Sequence, residues 1–83
     1  MLKNQLRRSS SSVALNIAEG SGKFSVKDKK NFYLIARGSV SESVATIRLI
    51  RIDGALSGPE YDHLHSRADE IGRMLTGLIR NPS

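Results

Sequence analysis

Residues 59–79, with the sequence PEYDHLHSRADEIGRMLTGLI, decide the fold of this 83-residue chain. Apolar side chains recur in this stretch at alternating steps of three and four residues, which is the spacing of one helix face in a bundle or coiled coil. These positions are Tyr61, Leu64, Ala68, Ile71, Leu75 and Leu78. Pro59 suits the first turn of a helix, because its missing N–H is not needed there, and Ser57 or Gly58 can cap that turn. The pattern predicts a helix over about 59–79 that packs against other helices.

Two further helices are predicted before this one. A stripe of apolar residues indicates the first over about 2–19, and Gly20-Ser21-Gly22 ends it. The second runs over about 25–53, with Ser25 and Asp28 as an N-terminal capping pair. Its broad apolar face consists of Phe32, Ile35, Ala36, Val40, Val44, Ile47 and Ile50.

The order of these elements predicts one fold class. No segment alternates with the two-residue period of a strand, and the connections between the helices are short. Short connections make consecutive helices antiparallel neighbours. The prediction is an all-α, antiparallel up-and-down helical bundle that forms a single domain over residues 1–83.

Two features of the helices need an explanation. The run Ser9–Ser12 has mediocre helix propensity and resembles a linker. Because apolar residues continue in register on both sides, we interpret it as helix, with small residues at a tight contact. Gly38, in the middle of the second helix, costs about 1 kcal/mol relative to Ala. A close helix crossing would explain it, so Gly38 and Ser39 are predicted at such a contact.

Composition excludes several classes of site. The chain has no cysteine, which rules out disulfides and thiolate metal ligands. His63 and His65 alone complete no zinc motif, and their spacing places them on different sides of a helix. No apolar run approaches the roughly 20 residues of a membrane span, and the N-terminus lacks the apolar core of a signal peptide. We therefore expect a cytoplasmic protein without a membrane segment, a metal or a cofactor.

Positive charge is concentrated in the first half of the chain. Residues 1–40 contain eight Lys or Arg against two acids, whereas residues 41–83 contain five against six. This favours an anionic partner, RNA or DNA first, although a solvated surface with salt bridges between subunits is an equal alternative. Four aromatic residues are too few for a base-stacking platform, so binding would be electrostatic and poorly sequence-specific. The candidate residues are Lys3, Arg7, Arg8, Lys23, Lys27, Lys29, Lys30 and Arg37.

The sequence contains no convincing catalytic constellation, so we expect no enzyme. Glu19 and Glu42 are conceivable as paired carboxylates and Ser39 as a nucleophile, but no histidine lies near Ser39 in the helical pattern. We instead predict that Glu19 and Glu42 form ion pairs with Arg7 and Arg8 that fix the register of the helices.

A phosphate-binding loop is also unsupported by the sequence. Residues 20–23 read Gly-Ser-Gly-Lys, but the strand and the upstream glycine of such a loop are absent. The segment is predicted to be a turn between helices.

Several motifs resemble a known bacterial family. They are Gln5-Leu6-Arg7-Arg8, Asn16-Ile17-Ala18-Glu19-Gly20, Ala36-Arg37-Gly38-Ser39-Val40-Ser41-Glu42, Arg73-Met74-Leu75 and Leu78-Ile79. In this order and spacing the chain resembles the four helix bundle proteins, or 23S rRNA intervening-sequence proteins, which are related to accessory variability proteins of retroelements. The resemblance implies an up-and-down bundle and a homo-oligomer, usually a pentameric ring. It implies no established activity.

Two departures from the family pattern affect the expected assembly. The family normally has another helix before the Gln-x-Arg-Arg motif, so three of its four helices are expected in this chain. Residues 12–15 lack the proline common in relatives, so the first helix should be less kinked. Three helices cannot cover all the apolar seams, which predicts self-association. The expected function is a non-catalytic, basic, oligomeric scaffold that binds RNA or DNA. The alternative is a protein–protein adaptor, for example for a polymerase or ribosomal partner.

Overall fold

The protein is a bundle of three antiparallel helices in the computed structural model, which describes residues 1–82. The helices are α1 (Leu2–Ser21), α2 (Val26–Ile52) and α3 (Gly58–Arg80). Every helix end lies within two residues of the bounds expected from the sequence. The all-α bundle predicted from the sequence is confirmed.

The helix ends follow from their capping residues. Ser25 caps α2, because its hydroxyl accepts the N–H of Asp28 at 3.0 Å. Ser57 and Glu60 form a reciprocal capping box at the start of α3: the Ser57 hydroxyl accepts the N–H of Glu60, and the Glu60 carboxylate accepts the N–H of Ser57. Gly54 has a positive φ of 81°, which lets the chain turn sharply after α2.

The central helix is α2, and the other two helices pack against different sides of it. No Cα atom of α1 lies within 8 Å of one in α3 over residues 1–82. The core cluster contains Tyr33, Ala36 and Val40 from α2 and the fully buried Leu75 from α3. Half-buried side chains of α1 and α3 pack around this cluster. The arrangement leaves an open space between α1 and α3 on one face of α2.

The serine run forms the tight contact expected of it. Ser9 is buried against α2, and the hydroxyl of Ser43 donates to its oxygen over 2.8 Å. The hydroxyl oxygens of Ser12 and Ser39 are also 2.8 Å apart. Small side chains therefore let α1 and α2 approach closely, and their hydroxyls satisfy one another.

The close crossing predicted at Gly38 is wrong within this chain. A Cβ atom added at Gly38 would meet no atom within 4 Å, since this residue lies on the outer side of α2. Ser39, predicted together with it, does lie in the contact. The most tightly packed glycine is Gly20 instead, where an added Cβ would lie 2.7 Å from Cε1 of the Tyr33 ring.

One residue predicted to lie on the buried apolar face of α2 is exposed instead. Ile35 is 48% exposed, because the two helices packed against α2 do not cover its outer side. Among residues 1–82, no helix is both long and apolar enough to cross a membrane.

Candidate functional site

The basic residues predicted to bind nucleic acid do not form one patch. Lys3, Arg7 and Arg8 lie on the N-terminal half of α1, whereas the loop lysines lie at the other end of the bundle, roughly 20–30 Å away along the helix axis. The loop lysines are Lys23, Lys27, Lys29 and Lys30. Lys23 is partly neutralised, because its ammonium lies 3.8 Å from the Glu19 carboxylate. It also sits 5.1 Å from the centre of the Phe32 ring.

The predicted register-fixing ion pairs are absent from residues 1–82. Glu19 pairs with Lys23, which lies four residues later in the turn after α1, because the eleven or twelve residues that separate Glu19 from Arg7 and Arg8 correspond to roughly 17 Å along α1. Glu42 is exposed and forms no ion pair with a Lys or Arg of residues 1–82. The α1–α2 register is fixed by the serine hydroxyls described above.

Arg37, the eighth predicted residue, lies in a different place from the others. It is half-buried on the side of α2 that faces α3, and its Nη1 donates to the hydroxyl of Thr76 over a long 3.5 Å. The cleft in which it lies measures about 610 Å³ and runs between α2 and α3. Arg48 from α2 and Arg73 from α3 line the same cleft. We call this the arginine cleft.

Sequence reasoning missed two of the three arginines. Arg37 and Arg48 are eleven residues apart, close to three full helical turns, so they lie on one side of α2. The eleven-residue spacing could therefore have assigned Arg48 to the same side of α2 as Arg37 from the sequence. Arg73 could not be assigned to the cleft from sequence, because its position depends on how α3 packs against α2. Asp69 is the one acid that lines the cleft, and its carboxylate lies 3.1 Å from Nη2 of Arg73.

A second surface is the apolar groove between α1 and α3, floored by Val40 and Ile47 of α2. It comprises two adjoining hollows of about 200 and 300 Å³. Its α1 wall includes Leu6, Val13 and Ile17, and its α3 wall includes Leu64, Ile71, Met74 and Leu78. Met74 is 65% exposed there, so the predicted seam of α3 is only partly covered by its own chain.

Ser39, the nucleophile considered from the sequence, lies against another serine. The hydroxyl of Ser39 is 2.8 Å from that of Ser12, and no histidine is bonded to it. His65 stacks at a tilt near Tyr61, with ring centres 5.7 Å apart. Over residues 1–82, no three His, Cys, Asp or Glu side chains are grouped as a metal site would require.

Comparison with known proteins places the chain in a family and supports the fold. The family model described as 23S rRNA-intervening sequence protein matches residues 1–77, which is most of the chain. A crystal structure of a protein of unknown function from the S23 ribosomal protein family of Bacteroides thetaiotaomicron superposes with a TM-score of 0.93 at 23% identity. The match covers 98% of this chain and 75% of that one. No curated protein matches the sequence. On the family match over residues 1–77, the chain belongs to the 23S rRNA-intervening sequence protein family.

Proposed function

We propose that this protein is a non-catalytic, self-associating helical scaffold that binds the phosphate backbone of RNA or DNA. The observation that carries the proposal is a basic surface with few internal partners. Of thirteen Lys and Arg residues, only Lys23, Arg67 and Arg73 form ion pairs within residues 1–82. All three pairs are exposed contacts between residues three or four apart in the chain, and such pairs stabilise proteins little. The remaining positive charge is available to an anionic partner.

Electrostatic binding has a measurable signature. Each phosphate that the protein neutralises releases counterions, so affinity falls as a power of the salt concentration. Fluorescence anisotropy with labelled single-stranded RNA and duplex DNA of unrelated sequences tests this. We expect similar affinities for unrelated sequences and a steep loss between about 50 and 200 mM salt. Absence of binding at the lower salt concentration would refute the nucleic-acid part of the proposal.

Self-association is supported by the apolar groove. Each well-buried Leu or Ile contributes about 1.5–3 kcal/mol relative to exposure, so a second copy that covers the groove would stabilise the fold. The family resemblance favours a pentameric ring. Sedimentation equilibrium at micromolar concentration measures the mass directly. A folded species at the chain mass of 9.1 kDa would contradict self-association.

The groove also supports a second candidate function, an adaptor that receives an amphipathic helix of a polymerase or ribosomal partner. Its apolar walls would suit the apolar face of a helix from either kind of partner. The two candidates differ in behaviour: the scaffold associates with itself and binds nucleic acid, whereas the adaptor is monomeric without its partner. Sedimentation and anisotropy on the same purified sample distinguish them.

A further inference from the structure

The arginine cleft combines charge from two helices with a floor of small residues. Arg37 and Arg48 come from α2 and Arg73 from α3, so the cleft exists only in the folded protein. Ser41, Ala45, Ala68 and Gly72 also line it. An added Cβ at Gly72 would come within 3.9 Å of Val40 Cγ1, in ordinary contact, and the larger Val44 and His65 complete the lining. A ligand backbone can approach the helices closely at the small residues.

The three guanidinium groups of the cleft form few hydrogen bonds and ion pairs within residues 1–82. Arg37 makes one long hydrogen bond to Thr76, and Arg48 has no ion-pair partner in residues 1–82. Arg73 is paired with Asp69, but both side chains are more than half exposed, so water weakens that pair. A planar guanidinium donates two parallel hydrogen bonds to phosphate oxygens, which a lysine cannot do.

The spacing of the arginines fits an extended polyanion better than a single phosphate. Eleven residues of helix place Arg37 and Arg48 about 16 Å apart along α2. That length corresponds to about five nucleotides of axial rise along one strand of a duplex. The positively charged groups of the cleft would therefore meet phosphates several nucleotides apart on the same chain.

We infer that the arginine cleft, and not the cluster of loop lysines, is where the phosphate backbone of a nucleic-acid strand binds. This inference rests on the proposed function and assigns its site. The cleft and the groove adjoin, since Val40 and Ala68 line both, but Arg37, Arg48 and Arg73 line only the cleft. A second copy seated in the groove would therefore not have to cover the three arginines. Asp69 competes with the phosphate for Arg73 and holds that guanidinium when no strand is bound.

Two charge-matched triple variants test the assignment. Arg37→Ala, Arg48→Ala and Arg73→Ala together remove three positive charges from the cleft; Lys27→Ala, Lys29→Ala and Lys30→Ala remove three from the loop region. Anisotropy with labelled single-stranded RNA at several salt concentrations gives the affinity and its salt slope. For the cleft variant we expect at least about tenfold weaker binding at low salt and a salt slope lower by about 2, one phosphate contact per arginine. The loop variant should change both quantities much less.

Two single variants, one of which should bind RNA more tightly, test the assignment even if the triple variant of the cleft folds poorly. Asp69→Asn removes the negative charge of the cleft, whereas Glu70→Gln removes one from the neighbouring residue, which pairs with Arg67 of the groove. Asp69→Asn should bind RNA more tightly than Glu70→Gln. Equal effects of the two single variants, or an equal or larger loss in the loop triple variant, would overturn the cleft assignment but leave nucleic-acid binding intact. If the wild-type protein binds no RNA, both the proposed function and this inference fail.

Discussion

The hydroxyl oxygens of Ser12 and Ser39 lie 2.8 Å apart and join α1 to α2 at the middle of the bundle. Asn16 supports the pair, because its side-chain amide donates to the carbonyl oxygen of Ser12 at 2.8 Å. One turn earlier, Ser43 donates to Ser9, which in turn donates to the carbonyl oxygen of Leu6 at 3.1 Å. A stretch with the composition of a linker is therefore a helix interface, in which small size and hydroxyl pairing replace apolar side chains.

Leucine substitutions at two nearby serines, one in this interface and one on the exposed surface of α1, should lower the stability of the protein to different extents. Ser9→Leu places a large side chain in a site that is 3% exposed, so overpacking should lower the free energy of unfolding by about 1–3 kcal/mol. Ser11→Leu, on the exposed side of α1, should change it by less than about 0.5 kcal/mol. Urea denaturation followed by circular dichroism measures both. Equal stabilities of the two variants would mean that α1 does not pack through Ser9.

Alanine substitutions at two helical glycines should have opposite effects. Gly20→Ala pushes a methyl group to within 2.7 Å of the buried Tyr33 ring, and the resulting strain of about 1–3 kcal/mol should exceed the gain in helix propensity. Gly38→Ala meets open space in the middle of α2 and should stabilise the protein by about 0.5–1 kcal/mol. Thermal unfolding of both variants gives the sign of each change in stability. A destabilised Gly38→Ala variant would show that this position is covered in the assembled protein.

The two glycines also show how far sequence reasoning reaches. Helix ends were predictable, because caps such as Ser57 with Glu60 and the apolar period of α3 are local signals. Which glycine marks a close approach was not, because that depends on how Tyr33 of α2 packs against the end of α1. The same distinction applies to the candidate site: Arg37 was identified from its charge, whereas its neighbour Arg73 required the packing of α3.

Acid should weaken the start of α3 through Glu60. The N–H of Ser57 donates to its carboxylate and, with the Ser57 hydroxyl, lowers the pKa of Glu60 below its ordinary value. A group whose pKa is lower in the folded state stabilises the fold above its unfolded pKa, about 4.3 for Glu. That stabilisation is lost as the pH falls through the lower folded-state value. Part of the loss of stability in acid should therefore come from this capping box.

Glu60→Gln tests the contribution of Glu60, because glutamine can accept the same hydrogen bond without titrating. The free energies of unfolding of the wild type and the variant should differ above about pH 5 and converge as the pH falls through the lowered folded-state pKa of Glu60. Denaturant titrations at several pH values measure the difference. A constant difference over this range would show that the charge of Glu60 does not contribute to the cap. Asp62→Asn, at an exposed acid two residues after Glu60, is the control.

Two equally exposed residues, one in the groove and one outside it, allow a controlled test of self-association. Met74 lines it and Leu15 lies elsewhere on α1, yet each is 65% exposed, so a lysine at either position should be tolerated equally by the folded chain. If a second copy covers the groove, Met74→Lys buries an unpaired charge at the interface and should weaken association by at least about tenfold, given that each 1.4 kcal/mol is a factor of ten. Leu15→Lys should leave the mass distribution in sedimentation equilibrium unchanged. The reverse pattern would place the interface on the outer side of α1, and equal masses for both variants and the wild type would remove the groove from the assembly. Because both substitutions add the same charge, a general electrostatic repulsion between copies would weaken association in both variants alike, so only a difference between them identifies the groove.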